Sequence, residues 1–214
     1  MLGDRKNISF SGLGMTKLPL RYGTESCYIT LTDDLYTDEI VELRNTASLG
    51  KYINYVELSA EDHRRWLAEQ LERDDALNFV LVIRQKFAGT LSLYNIEHGK
   101  QCELGRVIMP ESQRFYAPVV DLLGISFALE ILGMDTVYCV VDEQNTRVLN
   151  SQLHFGWRID PRYERFETVN GRHAHLIGLS VDRPEWAMLR ERFRLLVKRL
   201  FHQKSADLRS ARLE

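Results

Sequence analysis

Apolar and polar residues alternate over Cys27–Thr32, the signature of a strand with one face inward. Two runs rich in β-branched and aromatic residues, Asn78–Arg84 and Ala88–Tyr94, read as a hairpin joined by Gln85-Lys86-Phe87. Glu103–Met109 forms a further strand and stops at Pro110. Helical spacing begins after Asp33 or Thr37, either of which can cap a helix running to Asn45. Ser59-Ala-Glu-Asp62 places an acid three residues after a serine, a capping box that opens a helix to about Leu71. Between Tyr116 and Leu132 the positions Val119, Val120, Leu122, Leu123, Phe127 and Ile131 predict a helix buried on a broad face and ended by Gly133. Thr136–Val141 is a short apolar strand and Asn145–Phe155 a second such helix. Trp157–Phe166 and His173–Val181 read as two strands around the Asn170-Gly171 turn. A last helix starts near Pro184, tolerated in a first turn, and runs to about Gln203.

The order β-α-α-β-β-β-α-β-α-β-β predicts an α/β domain: a mixed central β-sheet flanked by helices. Residues 1–24, with scattered glycines and no sustained period, read as an N-terminal extension; 25–182 form the domain, and 183–214 a basic amphipathic helix and tail. A chain of 214 residues, 44% hydrophobic and 27% charged, supports one well-packed core. The net charge of -2 and pI near 6.3 lack the basic footprint that nucleic-acid binding requires. Three cysteines without paired spacing suit reduced thiols better than disulfides or zinc. With no signal-like or membrane-spanning apolar stretch, the composition predicts a soluble, cytoplasmic protein.

Three stretches in this order resemble the GCN5-related N-acetyltransferase (GNAT) superfamily. They are Glu103-Leu-Gly-Arg-Val-Ile-Met-Pro110, then Gly133–Asn145, then Gly156-Trp157 standing eleven and twelve residues after Asn145. The resemblance implies the GNAT fold and an acyl-CoA co-substrate, acetyl-CoA or a longer relative, with no metal. It implies that the backbone of Val107, Ile108 and Met109 pairs with the pantetheine arm and polarises the thioester carbonyl. It also implies that Arg114, Phe115, Tyr116 and Ala117 form the phosphate loop and that Asn145 contacts the cofactor. Glu103, at the start of the central strand, becomes the candidate base, and Gln152 falls where the family often has a tyrosine acid. The loop departs from the family's glycine pattern: Ser112-Gln-Arg-Phe-Tyr-Ala117 conforms at its last position alone, and Pro118 follows. Phe115 removes the freedom that glycine gives, while Arg114 can pair with phosphate charge.

Leu43-Arg44-Asn45, Tyr52-Ile53, Trp66-Leu67 and Cys102–Gly105 are similar to two groups within the superfamily. One comprises sugar-nucleotide amine acetyltransferases of the pseudaminic acid biosynthesis type; the other, ribosomal-protein N-terminal acetyltransferases. The Arg-Asn pair and the Cys-Glu strand start favour the first, so the expected acceptor is a small primary amine on a nucleotide-linked sugar. The alternatives are a degenerate domain with a non-catalytic binding role, or N-terminal acetylation of a protein. His173 and His175 share one strand face, and the sequence offers no third ligand for a metal there. Trp186, Leu189, Phe193, Leu196, Val197 and Leu200 form an apolar stripe on the last helix. It is read as packing on the domain or pairing in a homodimer, in preference to a membrane contact.

Overall fold

The computed structural model describes residues 21–24, 26–46 and 57–210, with side chains through Phe201. The tail beyond Ser210, the Tyr52-Ile53 pair and most of the N-terminal extension lie outside these residues. The last part of that extension is a strand: β1 (Arg21–Gly23) pairs antiparallel with β2 (Cys27–Leu31), Arg21 opposite Thr30. Beyond β2, Asp33 caps a short 3-10 turn, which leads into α1 (Thr37–Arg44). Ser59 makes the expected capping box with Asp62 and starts α2 (Ala60–Leu71). Asn45 clasps the backbone of Leu58 with both ends of its amide, at 2.8 and 2.9 Å, and so ties the end of α1 to the start of α2.

β3 (Ala76–Ile83) and β4 (Lys86–Glu97) form the expected hairpin, but its turn is Arg84-Gln85, shorter than the three residues anticipated. Both turn residues take positive φ, 50° and 64°, the geometry that matches the twist of the flanking strands. β5 (Gln101–Ile108) lies antiparallel to β4 and parallel to β6 (Thr136–Asp142). Between them comes α3 (Ala117–Ser126), which continues through π-helical turns over Phe127–Ile131 and ends at Gly133, φ 74°. The helix therefore covers the span the apolar positions anticipated.

α4 (Thr146–Phe155) ends on Gly156 in the left-handed region, φ 105°, where an added Cβ would lie 2.5 Å from Leu189. The single strand expected over Trp157–Phe166 is broken. β7 (Arg158–Ile159), a turn over Pro161–Tyr163 and β8 (Arg165–Val169) replace it, because Pro161 fixes φ and cannot donate to a ladder. Both short strands pair with β9 (Arg172–Asp182), β8 through the Asn170-Gly171 turn. The described residues form one sheet in the order β1-β2-β3-β4-β5-β6-β9-β7, with β8 also on β9.

Helices cover both faces. Ile40 of α1 packs on Tyr28, Val80 and Val82, while α3 packs on the other face, where Phe127 meets Phe79 edge-on at 5.0 Å. α5 (Arg183–Ser210) runs back along α3: Trp186 bonds Glu130 near one end of α3, and Phe201 meets Tyr116 at the other. Its stripe of Trp186, Leu189, Phe193 and Val197 is buried against the domain. No described helix is long and apolar enough to cross a membrane.

Candidate active site

β5 and β6 are the neighbouring parallel strands, and their register holds only from Gln101/Thr136 to Glu103/Tyr138. Beyond Glu103 the backbone of β5 has no ladder partner on its β6 side. The cause is local. β5 carries one residue more than β4 between the pairs Ser92/Gly105 and Thr90/Ile108. Arg106 takes up the extra length at φ 50°, a bulge of the kind that bends a strand and re-aims its side chains. The two parallel strands thus part after Glu103, and the rest of β5 runs on without a β6 ladder partner. Val107 is exposed on that stretch, whereas Ile108 and Met109 are buried.

The two faces of β5 differ in chemistry. Cys102 and Leu104 point into the apolar layer under α3. Glu103 points the other way and is 1% exposed. The sequence suggested a strand-end carboxylate open to an amine; the fold buries it and surrounds it with donors. Tyr94 Oη donates to Oε1 at 2.7 Å, Asn95 Nδ2 to Oε2 at 3.0 Å, and Arg165 to both oxygens at 3.0 and 3.1 Å. Gly105 makes room for this arrangement, since a Cβ there would lie 2.6 Å from the Tyr94 hydroxyl. Burial and the Glu103 charge push the Tyr94 phenol well above its ordinary range and Tyr138 up to about 12, so both remain protonated.

On the α3 face, Gln152 does not stand alone. Its Nε2 lies 3.3 Å from Oδ1 of Asp121, while its Oε1 is buried without a partner. Burial pushes the Asp121 carboxyl up to about 7, against smaller opposing effects from Gln152 and Trp157. The pair therefore holds a proton near neutrality that a glutamine by itself does not. Cys139 lies nearby, and burial holds its thiol well above the ordinary value, which removes it as a thiolate nucleophile.

The loop from β5 to α3 is a 3-10 run over Glu111–Tyr116. The N–H groups of Gln113 and Ala117 are spent on the carbonyls of Pro110 and Arg114. Among the described residues Arg114 makes a long 3.8 Å contact with the exposed Glu111 carboxylate. Tyr116 is buried between Phe115, at 3.9 Å, and Phe201 of α5, at 5.4 Å, and so belongs to the packed wall of the site. Asn145 precedes α4, and its side chain makes no capping bond. The open β5 edge, the lightly engaged Arg114 and the uncommitted Asn145 amide together suit an amide-bearing, phosphate-carrying ligand such as acyl-CoA.

Among the described residues no cluster of histidine, cysteine, aspartate and glutamate has the makings of a metal site. His175 bridges Glu143 and Glu164, at 3.0 and 2.7 Å, and stacks on Phe166.

Sequence reasoning missed Tyr94, Asn95, Arg165 and Asp121. Arg165 reaches Glu103 from 62 positions away, and nothing in its local pattern reveals that. Asp121 did leave a signal, as the one acid in an otherwise apolar or small-residue helix, Ala117–Ser126.

The acetyltransferase (GNAT) domain model matches residues 29–158. No curated protein sequence matches the chain. Among solved structures, a GCN5-related N-acetyltransferase from Brucella melitensis is similar at 18% identity, over 82% of this chain and 84% of that one, with TM-score 0.69. FdhC, a nucleotide-linked sugar GNAT in its apo form, is 18% identical over 84% of this chain and 99% of its own, TM-score 0.69. Spermidine N-acetyltransferase from Vibrio cholerae, in complex with CoA and spermine, is 14% identical over 77% and 99%, TM-score 0.68.

Proposed function

The chain belongs to the acetyltransferase (GNAT) family, and we propose on that premise that it acetylates the primary amine of a nucleotide-linked amino sugar. The observation that carries this reading is the parting of β5 from β6 immediately after Glu103, which brings an open strand edge beside a buried, hydrogen-bonded carboxylate. Acetyl-CoA supplies the acetyl group, activated as a thioester. The backbone of Val107, Ile108 and Met109 holds its arm, Asn145 adds an amide contact, and Arg114 with Phe115, Tyr116 and Ala117 forms the phosphate end.

Glu103 is the proton acceptor in this scheme. A proton added directly to either oxygen must displace one of the donors already bound there. The bond from Tyr94 Oη to Oε1 offers a route that displaces none: the phenol passes its proton to Oε1 as its own oxygen takes one from the amine. Tyr94 thus ends as it began, as a phenol, in keeping with a value pushed far up. Arg165 positions the carboxylate.

Release of the CoA thiol from acetyl-CoA, measured with nucleotide-linked amino sugars, free amino sugars, spermidine and peptide N-termini, tests the assignment. Turnover is expected with a nucleotide-linked amine. Glu103→Gln should lower kcat about a hundredfold or more while leaving acetyl-CoA affinity unchanged. Efficient turnover of spermidine or peptides instead would overturn it.

A further inference from the structure

The arginines on the Glu103 face are unequally matched with acids. Arg165 grips Glu103 and reaches Glu167, and Arg172 pairs with Asp142. Arg44, in the last turn of α1, and Arg106, on the β5 bulge, pair with no carboxylate among the described residues. Arg106 donates a long 3.5 Å bond to the neutral Gln70 side chain and lies 4.7 Å from the Tyr94 ring centroid and 5.9 Å from that of Trp66. Arg44 is half-buried, and burial together with the like charge of Arg106 pulls its guanidinium below the ordinary value. His63 stacks on Trp66 at 5.7 Å, is buried, and leaves its Nε2 without a hydrogen-bond partner. Burial and the charge of Arg44 keep its imidazole neutral, so it does nothing to relieve the repulsion.

Arg106 is exposed and feels the charge of Asp75, but Arg44 is half-buried beside it, and a partly desolvated guanidinium facing a like charge is costly where no carboxylate among the described residues pairs with it. Here the arrangement sits beside the carboxylate that receives the amine's proton, and Glu103 and Asp142 are already neutralised by their own arginines. Among the described residues no carboxylate is left to pair with Arg44, and an anion brought by a ligand would fill that place. Planar guanidinium forks bind phosphoryl oxygens in pairs, and the Tyr94 and Trp66 rings offer flat faces next to them.

We infer that Arg44 and Arg106 form an anion site for the acceptor, and that the acceptor carries a phosphoryl or diphosphate group beside its amine. The inference rests on the reading of this face as the acceptor's side of an acetyltransferase. It names the residues that select the substrate, and it excludes polycationic amines, which would meet uncompensated positive charge.

Uridine diphosphate, titrated by calorimetry into protein saturated with CoA, reports on the site without any turnover. CoA occupies its own phosphate contacts, so the remaining heat belongs to the acceptor side. Wild-type protein is expected to bind uridine diphosphate, and Arg44→Gln and Arg106→Gln each to weaken it at least tenfold. Arg106→Lys should recover part of the loss, and raised salt should weaken the wild type more than either glutamine variant. Ligand-free Arg44→Gln should melt at or above the wild-type temperature, because it relieves burial and repulsion; a purely structural arginine would lower it. Undetectable binding at millimolar concentration, binding that ignores both arginines, or tighter binding of spermidine than of uridine diphosphate would overturn the inference. Failure of CoA itself to bind would instead count against the acetyltransferase reading, so the two can fail separately.

Discussion

Asp121 shows how much a single residue can add to a site that its neighbours define. It is 3% exposed on α3, with the Gln152 side chain 3.3 Å away and Trp157 close enough to act on its carboxyl. Burial raises its folded value to about 7, whereas the unfolded chain titrates near the ordinary 3.8. The folded protein thus keeps a proton that the unfolded chain has already released. The sign follows from that difference: the stabilisation is complete below about pH 4 and is lost as pH rises through about 7. Its size is on the order of a few kcal/mol for a displacement of this extent. Asp121→Asn keeps the shape and removes the titration. Melting temperatures of this variant should therefore match wild type below about pH 4 and exceed it by a margin that grows until about pH 7. Parallel curves for the two proteins across that range would show that Asp121 is ionised at neutrality. Glu103 offers the opposite lesson. Its position in the strand was legible in the sequence, but its partners were not, because Tyr94 and Asn95 come from β4 and Arg165 from β8.

At the scale of elements, the period of the apolar residues located most helices and strands, since each buries one continuous face. It failed where chain geometry overrides pattern. Pro161 splits an apparently continuous strand, and the bulge at Arg106 inserts a residue that no alternation reveals. The loop before α3 is the element where departure from the family has the clearest consequence. Its 3-10 turns use the amides of Gln113 and Ala117 internally, so in the proposed site Arg114 is expected to carry an unusually large share of phosphate binding. Arg114→Ala should weaken CoA by about 1.5–3 kcal/mol, the range for a charge-assisted hydrogen bond. CoA and dephospho-CoA should suffer equally if the arginine serves the pyrophosphate. Loss of discrimination between them would move its contact to the 3′-phosphate, and unchanged binding of both would leave it a solvated side chain. The far wall of this loop, Phe201 against Tyr116, was hidden for a different reason: the stripe of α5 predicts packing on the domain or pairing in a dimer but not that it lies along α3.

For the whole molecule, the sequence's order of elements carried the fold because the β5–α3–β6–α4 succession forces two parallel strands to share a sheet with their helices on one side. What no local pattern contains is the parting of those strands, on which the account turns. The proposed acyl-CoA site, along the β5 edge beyond Glu103 with Arg114 and Asn145, exists in the folded chain and not in the unfolded one. At about a hundred times Kd its ligand stabilises by roughly 2.7 kcal/mol, well within reach of a thermal melt. Calorimetric titration of the protein with acetyl-CoA measures this most directly. Saturable binding at one site per chain, weakened by Arg114→Ala and accompanied by a rise in melting temperature, is the predicted result; no heat and no shift with acetyl-CoA or longer acyl-CoAs at millimolar concentration would contradict it.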